Sequence, residues 1–147
     1  MQVFLTKGMA RFVRREQIGF ANLIEAIMRA ESGLIDADLG GGLIKQRVAR
    51  AGKGRSGGYR TIVAYRRAGR AVFLFGFAKN ERDNIGAEEL AELRKLGQNW
   101  LNASPQQMAN SIKEQMLQEV CIWPPEKNRA GSAKLSLKWP RVSIASA

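Results

Sequence analysis

The chain has 147 residues, 45% of them hydrophobic and 25% charged, with a formal net charge of +11, one cysteine and no histidine. That length suits one domain with its own core, and the composition argues against disorder across the body. Cys121 alone excludes an internal disulfide and fits a reducing compartment. The missing imidazole removes Ser-His and Cys-His chemistry, histidine-based ribonuclease schemes and nearly all zinc sites.

Residues 2–5 read as a short strand. Thr6 offers a capping hydroxyl to a helix over residues 7–16, with Met9, Phe12 and Val13 on one face. Gly19 separates it from a second helix over about 20–31, where Leu23, Ile24, Ile27 and Met28 recur at helical spacing and Gly33 closes the end. The period then changes to two. In residues 43–49, Leu43, Lys45, Arg47 and Ala49 share one face, and Ile44, Gln46 and Val48 the other. Residues 50–58 (RAGKGRSGG) read as a basic, Gly-rich hairpin loop, residues 59–65 as the second strand, and 66–69 as a turn. The nearly continuous apolar run 70–77 reads as a strand from the middle of a sheet. Residues 87–101 return to helical spacing with Leu90, Leu93, Leu96, Trp100 and Leu101, and Ser104-Pro105 opens a last helix to about residue 119. The order predicts an α+β fold: a small antiparallel sheet packed by N-terminal and C-terminal helices, with the helices against one face. Residues 121–147, rich in Pro, Ser, Ala and basic residues without a period, read as a basic, flexible tail beyond a domain of residues 1–120. No stretch has the apolar length of a signal peptide or membrane span, so a cytoplasmic protein with no membrane partner is expected.

Charge is unevenly placed. Between Asp38 and Glu81 stand ten Lys or Arg residues and no carboxylate, whereas residues 1–38 hold five basic and five acidic groups, and residues 81–120 four against seven. Lys45 and Arg47 on one strand, Arg60 on the next, and Lys79 and Arg82 after the last can converge on one sheet face. Such a cluster calls for an anionic ligand, and a phosphodiester suits it because Arg grips phosphate bidentately. Attack of a 2′-OH on phosphorus develops charge that guanidinium groups stabilise. Without histidine, a lysine crowded by arginines is the candidate base, Lys45 or Lys79. Arg50, Lys53, Arg55 and Tyr59 are candidate RNA contacts, Tyr59 by stacking on a base. The competing reading leaves Lys53 and Arg55 solvated and makes Tyr59 a packing residue. The glycine runs at residues 40–42 and 52–54 lack the strand–loop–helix context of a nucleotide loop.

The segment GGGLIKQRVARAGKGRSGGYRTIVAYRRAGRAVFLFGFAKNERDNI resembles the RelE/HigB branch of the RelE/ParE toxin superfamily, through IKQRV, GGYR and the aromatic strand running into AKNERDNI. The resemblance extends, less distinctively, over residues 1–120. It implies a RelE-like fold of microbial RNase type and a type II toxin that cleaves mRNA in the ribosomal A site. It also implies a cognate antitoxin, ribosome and mRNA as partners, and neither metal nor other cofactor. Carried over by position, Lys45 and Arg47 match the basic pair of the first central strand, Arg60 the arginine opening the second, and Lys79 a basic position after the last. Asn80 stands where relatives often carry Arg, so Arg82 takes that part; Gly86 stands near the place where some carry Tyr or His as acid or base. Two rival readings are a ParE-like toxin that poisons DNA gyrase and a non-catalytic RNA- or DNA-binding module.

Overall fold

The computed structural model describes residues 1–50, 54–78 and 85–122. Among the described residues ten elements follow in order: β1 Gln2–Thr6, α1 Lys7–Glu16, α2 Phe20–Glu31, β2 Ala37–Gly40, β3 Leu43–Arg50, β4 Gly54–Arg66, β5 Arg70–Ala78, α3 Ala87–Asn102, α4 Pro105–Lys113 and β6 Leu117–Ile122. They build an α+β fold around one six-stranded sheet of order β2-β3-β4-β5-β1-β6.

The local signals act where they were expected. Thr6 Oγ1 accepts a hydrogen bond from the Met9 amide at 3.3 Å. Ser104 and Gln107 form a reciprocal capping box, with Pro105 at the first helical turn of α4. These groups satisfy amides that a helix start leaves without intrahelical partners.

The sheet departs from the expectation in two ways. It is mixed rather than antiparallel, because β1 runs parallel to β5. It is also covered on both faces. On one side Val3, Leu5, Val48, Val63 and Phe73 pack with α1 and α2 through Met9, Phe12, Leu23 and Ile27. On the other side Phe4, Leu43, Ile62, Ala64, Val72 and Leu74 pack with Leu101 and Met108 of α3 and α4. The sign of this was the unbroken apolar run of β5, since a strand with one wet face alternates instead.

Three boundaries also moved. β2 pairs with β3 through a two-residue turn, Gly41-Gly42, whose φ values of +64° and +84° suit a hairpin turn of the primed type. β4 begins at Gly54, so RSGG is strand rather than loop. The last helix stops at Lys113, and the chain turns at Gln115 (φ 64°) into β6, which pairs with β1. The apolar strand β1 would otherwise expose a row of unpaired amides and carbonyls at the sheet edge.

Helix α3 lies close on the sheet because Gly97 has no side chain. A Cβ there would sit 2.8 Å from Leu43 Cδ2 and 3.2 Å from Ala64 Cβ, both in the buried core. Gly97→Leu is expected to cost about 1–3 kcal/mol by overpacking, despite a better helix propensity. Urea unfolding checks it: a variant as stable as the parent would show that α3 can lift without cost.

Tyr65 closes the far end of this sheet onto α2. Its hydroxyl donates to Glu31 Oε2 at 2.5 Å, and the same oxygen accepts from the Ala68 amide at 2.9 Å. Burial first, then the Glu31 hydrogen bond and charge, hold the phenol above its ordinary value, with Arg67 opposing. A raised folded value means the phenol's contribution is complete below about pH 10 and is lost as pH rises beyond it. Tyr65→Phe is therefore expected to cost about 1 kcal/mol at neutral pH. The gap from the parent should narrow above pH 10, and paired urea titrations at pH 7 and 11 would disprove this if the gap widened.

Candidate nucleic-acid interface

Pleating places alternate residues on opposite sides of the sheet. Leu43, Lys45 and Arg47 of β3 therefore share the α3 side with Ile62 and Ala64 of β4. The register sets Lys45 opposite Ile62 and Arg47 directly opposite Arg60. Arg60 in turn pairs with Phe77 of β5, which lies 5.9 Å from Phe75, ring centre to ring centre. Helices α3 and α4 cover Leu43, Ala64 and Leu74 and leave the cations outside: the Arg47 side chain is 47% exposed, and Lys45 and Arg60 are half-buried. Cross-strand neighbours have Cβ atoms about 4.5–5.5 Å apart, where like charges repel. The strand pair thus holds two guanidinium groups and an ammonium on an open patch beside aromatic rings.

Arg47 is held from the edge of the sheet. Asp36 Oδ2 accepts from the Arg47 amide at 2.7 Å, and Asp36 Oδ1 lies 3.8 Å from Arg47 Nη2. Asp36 is itself bound by Arg29 Nη1 at 3.3 Å, while Arg29 Nε meets Glu25 at 2.9 Å and its Nη2 donates to the Arg47 carbonyl. Next to it Gln46 is fully buried, donating to the carbonyls of Ala26 and Leu34 and accepting from the Asp36 amide. The stretch of β3 that carries the cations is therefore clamped to the end of α2.

Other cations of the central run do different work. Arg70 Nη1 donates to the carbonyls of Trp100 and Ala103, and Arg66 Nη1 to that of Leu101. Both sit on the C-terminal end of α3, where unpaired carbonyls and the helix dipole favour positive charge. Burial, and then the Arg66 charge, push the Arg70 guanidinium below its ordinary value. The glycine run at residues 40–42 is a hairpin turn held by α3, with Arg94 Nε donating to the Leu39 carbonyl at 3.1 Å.

One sequence assignment, Tyr59, is corrected, and Arg50 is placed apart from the other cations. Tyr59 follows the opposite parity from Arg60 and faces α1: it is 3% exposed, packs edge-on against Phe12 and donates to Glu16 Oε1 at 3.1 Å. No ring face is left there for a base. Arg50 lies on that same side, its guanidinium 5.3 Å above the Tyr59 ring, away from Lys45 and Arg47. Lys53, Lys79, Arg82 and the Arg55 side chain lie outside the described residues. Gly86 precedes α3 as its cap residue.

A family profile described as the RelE toxin of the RelE/RelB toxin–antitoxin system matches residues 1–120. The chain belongs to the RelE toxin family. No curated protein matches it. A RelE toxin is one half of a toxin–antitoxin pair, so family membership implies an antitoxin partner. Among the described residues of this RelE toxin, no helix is long and apolar enough to cross a membrane.

Proposed function

We propose that this chain is a ribosome-dependent mRNA endonuclease that arrests translation and is masked by its cognate antitoxin. The reading is supported above all by the Arg47–Arg60 pair, set opposite each other on an exposed face with Lys45 two residues along. A gyrase poison has no need of such a phosphate grip.

In the proposed reaction the 2′-oxygen attacks the adjacent phosphorus and the bond to the 5′-oxygen breaks, leaving a 2′,3′-cyclic phosphate and a 5′-hydroxyl. Arg60, with Arg47 assisting, stabilises the charge that develops on the nonbridging oxygens. Lys45 or Lys79 takes the 2′-proton, and the departing 5′-oxygen takes a proton from water while Arg82 offsets its charge. A lysine-based site of this kind depends on substrate positioning, which the ribosome provides. An antitoxin suited to this face brings carboxylates or covers it bodily.

Mapping of new mRNA 5′ ends after brief induction in a bacterial host tests the reading. New ends in phase with the reading frame are expected. Growth arrest without new ends would replace it with the gyrase or plain binding alternatives.

A further inference from the structure

Strand β2 begins at Ala37, opposite Lys45, so Arg47 lies beyond its reach on β3. There two side chains take the place of a strand. Asp36 Oδ2 accepts from the Arg47 amide at 2.7 Å, and Arg29 Nη2 donates to the Arg47 carbonyl. Arg29 Nη1 in turn donates to Asp36 Oδ2 at 3.3 Å. An ion pair thus supplies the donor and the acceptor that one residue of an edge strand would supply. Both backbone groups of Arg47 point outward to this pair and therefore away from β4. Arg47 and Arg60, directly opposite each other, then form a pair without mutual backbone hydrogen bonds, which has the closer of the two cross-strand spacings.

Two guanidinium groups at that spacing repel. Asp36 Oδ1 lies 3.8 Å from Arg47 Nη2, too far for a hydrogen bond, so it acts on Arg47 by charge without occupying that N–H. The carboxylate is itself fixed in place. The Asp36 amide donates to Gln46 Oε1 at 2.7 Å, and the fully buried Gln46 is tied to the Ala26 and Leu34 carbonyls. We infer that Asp36 is a positioning residue for the phosphate grip, a role that rests on the function proposed above. It sits on the side of β3 away from Arg60, so its attraction and the Arg60 repulsion act in the same direction. Together they settle the Arg47 guanidinium at the outer edge of the pair and leave the phosphate to enter between the two arginines. The same carboxylate opposes the incoming anion, so it trades affinity for a defined guanidinium position.

The test measures single-turnover cleavage on mRNA-programmed ribosomes, with its half-saturating ribosome concentration, for the parent, Asp36→Asn, Arg47→Ala and the double variant. Asp36→Asn keeps a side-chain oxygen for the Arg47 amide and removes the charge. Its maximal rate is expected to fall about 3–10-fold through lost positioning. Its half-saturating concentration should stay equal or fall, because the face becomes one charge more positive. In the Arg47→Ala background the same change should add nothing to the loss, since no guanidinium remains to be aimed. An unchanged rate in Asp36→Asn overturns the proposal. A further loss in the Arg47→Ala background overturns it too, and makes Asp36 a brace of the sheet edge only. Nuclear magnetic relaxation of the arginine Nε groups in the parent needs neither substrate nor variant. Arg47 should be more ordered than the exposed Arg67, and equal order overturns the proposal. If Arg47 is the more ordered but the parent cleaves nothing on ribosomes, the hold of Asp36 on Arg47 stands and the endonuclease reading falls.

Discussion

Arg60→Ala is expected to slow cleavage of ribosome-bound mRNA by about 10²–10³-fold, the loss usual when one preorganised donor to a developing anion is removed. Arg60 lies on the strand next to the one that carries Arg47, and its register partner Phe77 is buried, so little freedom remains in where its backbone places it. Arg47→Ala should cost less, about 10–100-fold, because its side chain is 47% exposed and shares its charge with Asp36. If the two act on one phosphate, the double variant will be less impaired than the product of the singles. Arg60→Lys should recover only part of the rate, since an ammonium cannot make the bidentate grip. Single-turnover measurements on mRNA-programmed ribosomes decide this, with circular dichroism as the folding control. Wild-type rates in Arg60→Ala would remove the phosphate role from this face.

Arg29→Met is expected to lower stability by about 2–3 kcal/mol, at the cautious end of what breaking a buried ion pair costs. Arg29 is 9% exposed and joins Glu25, Asp36 and the Arg47 carbonyl in one place. Methionine roughly keeps the bulk and removes the donors that Arg29 gives to Glu25, Asp36 and the Arg47 carbonyl. Glu25 is 46% exposed and Asp36 21%, so water recovers part of the loss, which is why the larger values are not expected. A fall of about 5–10 °C in melting temperature should accompany it. Urea midpoints equal to those of the parent would show that Asp36 and Gln46 hold the strand without Arg29.

Much of this architecture was legible because its causes are local. The Thr6 and Ser104-Pro105 caps need only a few neighbouring residues, and the Lys45/Arg47 face follows from alternation within one strand. That same alternation separates Tyr59 from Arg60, since consecutive strand residues point to opposite sides, and it favours the packing reading of Tyr59 over stacking on a base. Arg50 likewise differs in parity from Lys45 and Arg47, which puts it on the α1 side. β6 was hidden because LQEV follows directly on a helical pattern, and what makes it a strand is the unpaired edge of β1 more than a hundred residues away. The double covering of the sheet was written in β5, whose residues 71–74 leave no polar position.

The placement of β1 bears on the order in which this sheet assembles. Its two neighbours in the sheet, β5 and β6, both lie far along the chain, beginning at Arg70 and Leu117. Until those strands pair with it, Val3 and Leu5 have no sheet to join. Pairing at such sequence separation is slow relative to local hairpin formation. The local β3–β4 hairpin is therefore expected to form before β1 closes the sheet beside β5, so the strands that carry Lys45, Arg47 and Arg60 do not wait on the most distant pairing.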